Sequence, residues 1–218
     1  QGLTAETRGA LEHLALLADQ DLILAKEVAR LRWVADDITK GDWNGLRILT
    51  LLSARNSSLA RTVAALPWAV HDISQQEWQA LQYIAFFAGE DLAIAERIVT
   101  YPWVTDGITE EERGALEDLR ELATQDVSLL RELAGLDWVI DGMAGDARFA
   151  LWSLKTLARK DPSLARYVAT YPWVTDDMTP DETWALNYLK DLRTRDASLG
   201  AAVAGLPWVV DNITSQDR

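Results

Sequence analysis

The sequence predicts an all-α protein, an α-solenoid of about six 35-residue helical hairpins (about twelve helices), with a right-handed superhelix expected. Three observations predict it. Trp33, Trp68, Trp103, Trp138, Trp173 and Trp208 follow one another at intervals of 35 residues, with no insertion or deletion. Two apolar stripes at helical spacing lie between each pair of tryptophans. A helix-capping residue precedes each stripe. A fixed period of this length marks supersecondary units that bury their apolar faces by stacking.

The units run over approximately 1–32, 33–67, 68–102, 103–137, 138–172 and 173–207, with a partial unit at 208–218, and together form one tandem-repeat domain. Gln1 aligns with the position of Asp106, and residues 211–218 stop one turn into a new unit, so the chain is expected to be a fragment of a longer array.

The unit starting at Thr109 serves for the rest. Thr109 and Glu112 have the spacing of a capping box, and Glu110, Glu111 and Glu112 suit the positive end of a helix dipole. Ala115, Leu116, Leu119, Leu122 and Ala123 then make one apolar stripe, which predicts a first helix of about 14 residues ending near Thr124 and Gln125. Ser74 with Glu77 and Thr179 with Glu182 repeat the cap, and Pro180 takes the favoured first helical position. Asp126 caps a second helix from about Val127 to Gly135, with Leu129, Leu130, Leu133 and Leu136 apolar. Asp21, Asn56, Asp91, Asp161 and Asp196 are its counterparts. Pro67, Pro102, Pro172 and Pro207 are expected to stop that helix, because proline disfavours helical geometry in the residue before it. Arg32 and Asp137 stand in their place elsewhere.

Individual units depart from this pattern. The first is regular, with Leu11, Leu14 and Leu17 inward, then Leu24, Val28 and Leu31. The second (Trp43, Ile48, Leu49, Leu51, Leu52) and the third (Trp78, Tyr83, Ile84, Phe86, Phe87) are apolar on more than one side of the first helix. In the fifth, Ala144-Gly145 replaces the threonine cap, and Asp146 is expected to cap a shortened helix. The sixth carries Gly200 inside its second helix.

Composition narrows the function classes. With 34 acidic against 21 basic residues the formal charge is −13, which disfavours phosphate backbones and anionic membrane surfaces. Cysteine is absent, so neither a disulfide nor a thiolate metal site exists. No apolar run approaches the roughly 20 residues of a membrane span, and residues 1–20 lack the pattern of a signal peptide. The expected partners are therefore a protein and the neighbouring repeats, with no nucleic acid and no membrane insertion.

Asp36, Asp106, Asp141, Asp176 and Asp211 stand three residues after a tryptophan, joined by Asp37, Asp72 and Asp177 in some units and by Gly107, Gly142 or Asn212 in others. Glycine and asparagine there point to a tight turn with positive φ, in which the aspartate accepts backbone amides. Cation binding is the alternative, but no calcium-loop spacing occurs and His71 replaces one aspartate, so no metal site is assigned. The six periodic tryptophans are read as wedges between hairpins, each indole N–H needing an acceptor. Trp43, Trp78, Trp152 and Trp184 are not demanded by the repeat; near the start of the first helix, about where Arg8 and Arg113 stand, and with Phe149, they are the candidate contact surface. No catalytic residue and no cofactor is assigned. His13 and His71 fall in different units, and phosphate-loop and zincin spacings are missing.

Helical hairpins of this size resemble the α-solenoid superfamily, including tetratricopeptide and HEAT repeats, in architecture; the small-residue and tyrosine positions of the tetratricopeptide pattern are not matched. The Pro-Trp-Val-x-Asp-Gly-Ile-Thr unit, as in 102–109, looks like tandem repeats of long prokaryotic proteins, some of them exported. The resemblance implies a scaffold or partner-binding role and transfers no site residue. The expectation is a non-catalytic scaffold or rigid spacer that mediates protein–protein interaction. A glycan- or peptide-binding module using the aromatic strip is the alternative, and an enzyme on a helical toroid stands third.

Overall fold

The computed structural model describes residues 4–35, 38–70, 73–143, 145–176 and 178–211. Asp36, Asp37, His71, Asp72, Ala144, Asp177 and Asn212 lie outside the described residues. Every regular element among the described residues is helical, so the fold is all-α. The chain forms two compact units, Gln1–Arg113 and Gly114–Arg218.

The first unit holds α1 (Ala5–Gln20), α2 (Leu22–Val28), α3 (Arg32–Ala35), α4 (Lys40–Arg55), α5 (Ser57–Ala64), a 3₁₀ turn at Pro67–Val70, α6 (Gln75–Glu90), α7 (Leu92–Ile98) and α8 (Pro102–Thr105). The boundary between the units falls within α9 (Glu110–Gln125). The second unit continues with α10 (Val127–Leu133), α11 (Asp137–Asp141), α12 (Gly145–Lys160), α13 (Pro162–Ala169), α14 (Pro172–Thr175), α15 (Pro180–Arg195), α16 (Ala197–Ala204) and α17 (Pro207–Asp211). The six long helices each have 16 residues and begin 35 residues apart.

Caps fix where these helices begin. Thr39 with Asp42, Ser74 with Glu77 and Thr179 with Glu182 form reciprocal capping boxes. Thr109 and Glu112 exchange the same two bonds, at 3.3 and 2.7 Å. One residue then turns each hairpin. The amide of Asp126 closes the last turn of α9 on the carbonyl of Leu122, while its carboxylate accepts the amides of Ser128 and Leu129 that open α10. Its backbone is extended (φ −160°), so the chain breaks direction without a loop. Asp21, Asn56, Asp91, Asp161 and Asp196 act alike. A helix of seven or eight residues is marginal by itself, so the second helices depend on packing.

In the first unit α4 lies between α1 and α6, and each long helix packs on the short one that follows it. In the second unit α12 packs against α15 and α13, and α15 against α16. The stripe predicted on α9, Ala115, Leu116, Leu119, Leu122 and Ala123, is buried, as are the equivalent Leu46, Leu49 and Leu52 on α4 and Leu151, Leu154 and Leu157 on α12, whereas Leu11 of α1, expected inward, is exposed. Full burial of one such side chain stabilises by about 1.5–3 kcal/mol.

Four local expectations are corrected. First, the segment around the periodic tryptophan is a third, short helix, so the described residues hold seventeen α-helices and a 3₁₀ turn rather than about twelve helices. Pro102 and Pro172 occupy its first turn, where the missing N–H costs nothing, and so start a helix as well as following one. Second, the long helices run to 16 residues rather than about 14, while α10 stops at Leu133, short of Gly135. Third, α12 is not shortened. Gly145 opens it at φ 57°, a value that suits glycine, and Asp146 lies inside the first turn. Fourth, the turn geometry is not uniform: Gly107 has φ 129°, but Gly142 at φ 174° is in extended backbone open to any residue.

Candidate functional site

Five of the six periodic tryptophans, Trp33, Trp68, Trp103, Trp138 and Trp173, occupy the core, whereas Trp208 is exposed. Trp33 donates its indole N–H to the carbonyl of Ala69 at 2.7 Å, and Trp68 to Val104 at 2.6 Å, in the first unit. In the second, Trp138 donates to Val174 and Trp173 to Val209, both at 2.7 Å. Each bond spans 36 residues, and so ties one short helix to the same helix of the following hairpin. Trp103 is buried as well. Beside Trp173, the hydroxyl of Tyr171 donates to the Ala204 carbonyl at 2.6 Å, and burial pushes its pKa up. These positions are closed to ligands.

The turn aspartates are solvated. Asp106, Asp141, Asp176 and Asp211 are exposed. Asp106 accepts from the hydroxyl of Thr105 at 3.4 Å rather than from a backbone amide, because the short helix leaves the carboxylate at its outer end. Asp36 lies outside the described residues. Among the described residues, no three His, Asp or Glu side chains come together as a group that could hold a metal ion. No helix among them is long and apolar enough to cross a membrane.

The five aromatic candidates divide. Trp43 and Trp78 belong to the first unit and are half-buried, with indole N–H groups that reach no hydrogen-bond partner among the described residues. Trp43 lies over Gly9 of α1, where a Cβ would overlap the indole. It also meets His13 with ring centroids 6.2 Å apart, and burial lowers the His13 pKa. Trp43 thus packs against α1.

Phe149, Trp152 and Trp184 belong to the second unit, and there they meet. Phe149 stacks on Trp152 one turn along α12, with centroids 5.5 Å apart and planes 20° from parallel. Its other contact is Trp184 on α15, again at 5.5 Å. Trp184 continues to Tyr188, one turn along α15, at 6.2 Å. The row Trp152–Phe149–Trp184–Tyr188 is open to solvent: Trp152, Trp184 and Tyr188 are 36%, 48% and 60% exposed. Lys190 lies 4.2 Å from the Trp152 ring centre, within cation–π range, with its ammonium also held by Asn187 at 2.6 Å.

Sequence reasoning missed Tyr188 and Lys190. Tyr188 is four residues after Trp184, and that spacing alone puts the two on one helix face. An ionic cluster between α9 and α12 was also missed. Asp118 on α9 is buried and accepts from both Arg148 and Lys155 of α12, the latter at 2.6 Å. Glu121 joins Lys155 at 2.9 Å and Arg159 at 2.8 Å, and the Lys155 hydrogen bond holds its pKa below the usual value. Every group in the cluster is paired, so it holds α12 to α9 instead of offering a reactive acid.

Comparison with protein families, with curated proteins and with solved structures returns no match to this chain.

Proposed function

We propose that this protein is a non-catalytic helical-repeat scaffold that holds a protein partner on the aromatic row of its second unit. The observation that carries the reading is the contiguity of Trp152, Phe149, Trp184 and Tyr188, three of which are exposed. Exposed tryptophan and tyrosine side chains offer large, rigid apolar area at small entropic cost, and such residues dominate binding energy at protein interfaces. The row is built on two packed helices, so little ordering entropy is lost on contact. The surplus of acids favours a segment that brings arginine or lysine beside aliphatic or proline side chains.

Peptide-display selection on the purified protein tests this. Selected peptides should bind at least about 30-fold more weakly to Trp184→Ala and Trp152→Ala, the loss typical of a hot-spot residue. Glycan arrays run in parallel address the second reading. Retention on sugars but not on peptides, lost in the same variants, would replace the protein partner by a carbohydrate.

A further inference from the structure

We infer that the first unit has a docking face of its own, where α1, α4 and α6 together receive an extended, proline-rich segment of a partner protein. The segment carries an apolar side chain at every third residue and charges in the order base, acid, base. Leu16 of α1 and Leu51 of α4 are 44% and 48% exposed. Phe86 of α6 is half-buried and stands at the same repeat position, each of the three 35 residues from the last. The opening belongs to the side of the helices and not to an end of the chain. α4 has α1 on one flank and α6 on the other, and Leu51 is open all the same. The repeat does not demand apolar residues there, since Glu121, Thr156 and Asp191 take the position in the second unit. The inward stripes thus leave over a second apolar side on these helices, with three side chains in line.

Spacing selects the form of the partner. Packed helices lie roughly 8–10 Å apart. A polyproline II segment turns once in three residues, or about 9.3 Å, so one turn spans one hairpin. Every third side chain then meets Leu16, Leu51 and Phe86 in succession, and a segment already ordered this way loses little entropy on docking. Charge selects the sequence of the partner. About one helical turn before the apolar line stand Glu12, Arg47 and Gln82, and about one turn after it stand Asp19, Arg55 and Glu90. Glu12, Asp19, Arg55 and Glu90 are exposed. The Arg55 guanidinium reaches across to α6, where it donates to the carbonyl of Ala85, and Gly89 leaves it room, since a Cβ there would lie 2.7 Å from it. Acids therefore flank the outer helices and arginines the middle one. The complement is a carboxylate in the middle turn of the segment, with a lysine or arginine in the turns before and after. None of these residues belongs to the aromatic row of the second unit, so the inference does not rest on the partner site proposed there.

The test uses the whole chain and a fluorescein-labelled peptide, Pro-Lys-Leu-Pro-Glu-Leu-Pro-Lys-Leu-Pro. Binding is read by fluorescence anisotropy at protein concentrations up to about 1 mM, the weak end of measurable affinity. Wild type should bind the peptide, and Leu51→Gln and Leu16→Gln should each bind it at least about 10-fold more weakly. Both leucines are about half exposed, so the fold is retained, and circular dichroism verifies this. A peptide of the same composition with its glutamate moved to the first turn should lose affinity by a similar factor. Glu90→Lys should weaken the first peptide, and a peptide whose last lysine is exchanged for glutamate should bind this variant better than it binds wild type. Absence of binding by wild type overturns the inference. So do unchanged affinity in both leucine variants, affinity that ignores the order of charges, or tighter binding of an alanine-based helical peptide with leucines seven residues apart.

Discussion

The indole N–H of Trp33 donates to the backbone carbonyl of Ala69 at 2.7 Å, and both groups are buried. The bond explains why tryptophan serves at this position. The ring fills the gap between consecutive hairpins, and its single donor satisfies a carbonyl at the end of a four-residue helix, where intrahelical donors run out. Trp33→Phe keeps part of the ring but strands the Ala69 carbonyl. It should cost about 2–4 kcal/mol, the sum of an unmet buried acceptor and a small cavity.

Trp43→Phe is the control in the same unit. Its indole N–H is buried without a partner, so phenylalanine removes an unmet donor while keeping an aromatic ring over Gly9. The change should be within about 1 kcal/mol of neutral, or stabilising. Urea denaturation of the two variants beside wild type gives the comparison. Equal large losses would show that ring volume, and not the hydrogen bond, sets the cost.

Asp118 accepts from Arg148 and from Lys155, and it is buried where Glu110, paired with Arg113 at 2.5 Å, is exposed. Asp118→Ala takes away the buried acid that Arg148 and Lys155 share, leaves Lys155 with Glu121 alone, and should destabilise by about 1–3 kcal/mol. Glu110→Gln should lose less than about 1 kcal/mol. Chemical denaturation at low and high salt separates them further, since only the exposed pair is strongly screened.

Asp21 should be visible in the acid limb of the stability profile. The Arg61 hydrogen bond, followed by the Leu24 amide, lowers its pKa to about 2. An unfolded aspartate titrates near about 3.9. The folded value is the lower one, so the contribution is complete above about pH 4 and falls away as pH drops toward 2. Arg61→Met should lower the melting temperature at pH 7, and the gap to wild type should close between about pH 4 and 2. A gap independent of pH would assign the effect to packing by the arginine stem.

Two glycines of the inter-hairpin segments should respond differently. Gly107 has φ 129°, which side-chain-bearing residues rarely adopt, whereas Gly142 at φ 174° is extended; at both, an added Cβ would meet nothing within 4 Å. Gly107→Ala should cost about 1–3 kcal/mol through backbone strain, and Gly142→Ala should be close to neutral. Thermal melts of the two variants check this directly.

The sequence made the hairpins legible because their signals are local. Thr109 with Glu112, and Asp126 at the break, carry the cap chemistry within three residues, and the stripes between them set the buried faces. The third helix was harder to see. A proline such as Pro102 both limits the residue before it and starts a helix, and the local sequence does not separate the two. The aromatic row was legible in part. Trp43 and Trp78 share the repeat position of Arg148, while Trp184 shares that of Phe149, so the four extra tryptophans never formed one strip. The Asp118–Lys155 pair lies 37 residues apart, and nothing local tells which of 34 acids meets a buried lysine. Arg148 over Gly114 repeats the arrangement of Trp43 over Gly9, a large side chain facing a missing one, and that pairing needs the packed helices to be seen.

The most direct test of the scaffold reading is a nitrogen–proton spectrum of the ten indole N–H groups, recorded while a selected peptide is titrated in. The indoles of Trp152 and Trp184 should shift with the peptide, while those of Trp33, Trp68, Trp138 and Trp173, already bonded to backbone carbonyls, should hold their positions. Binding that leaves Trp152 and Trp184 unmoved would contradict the account.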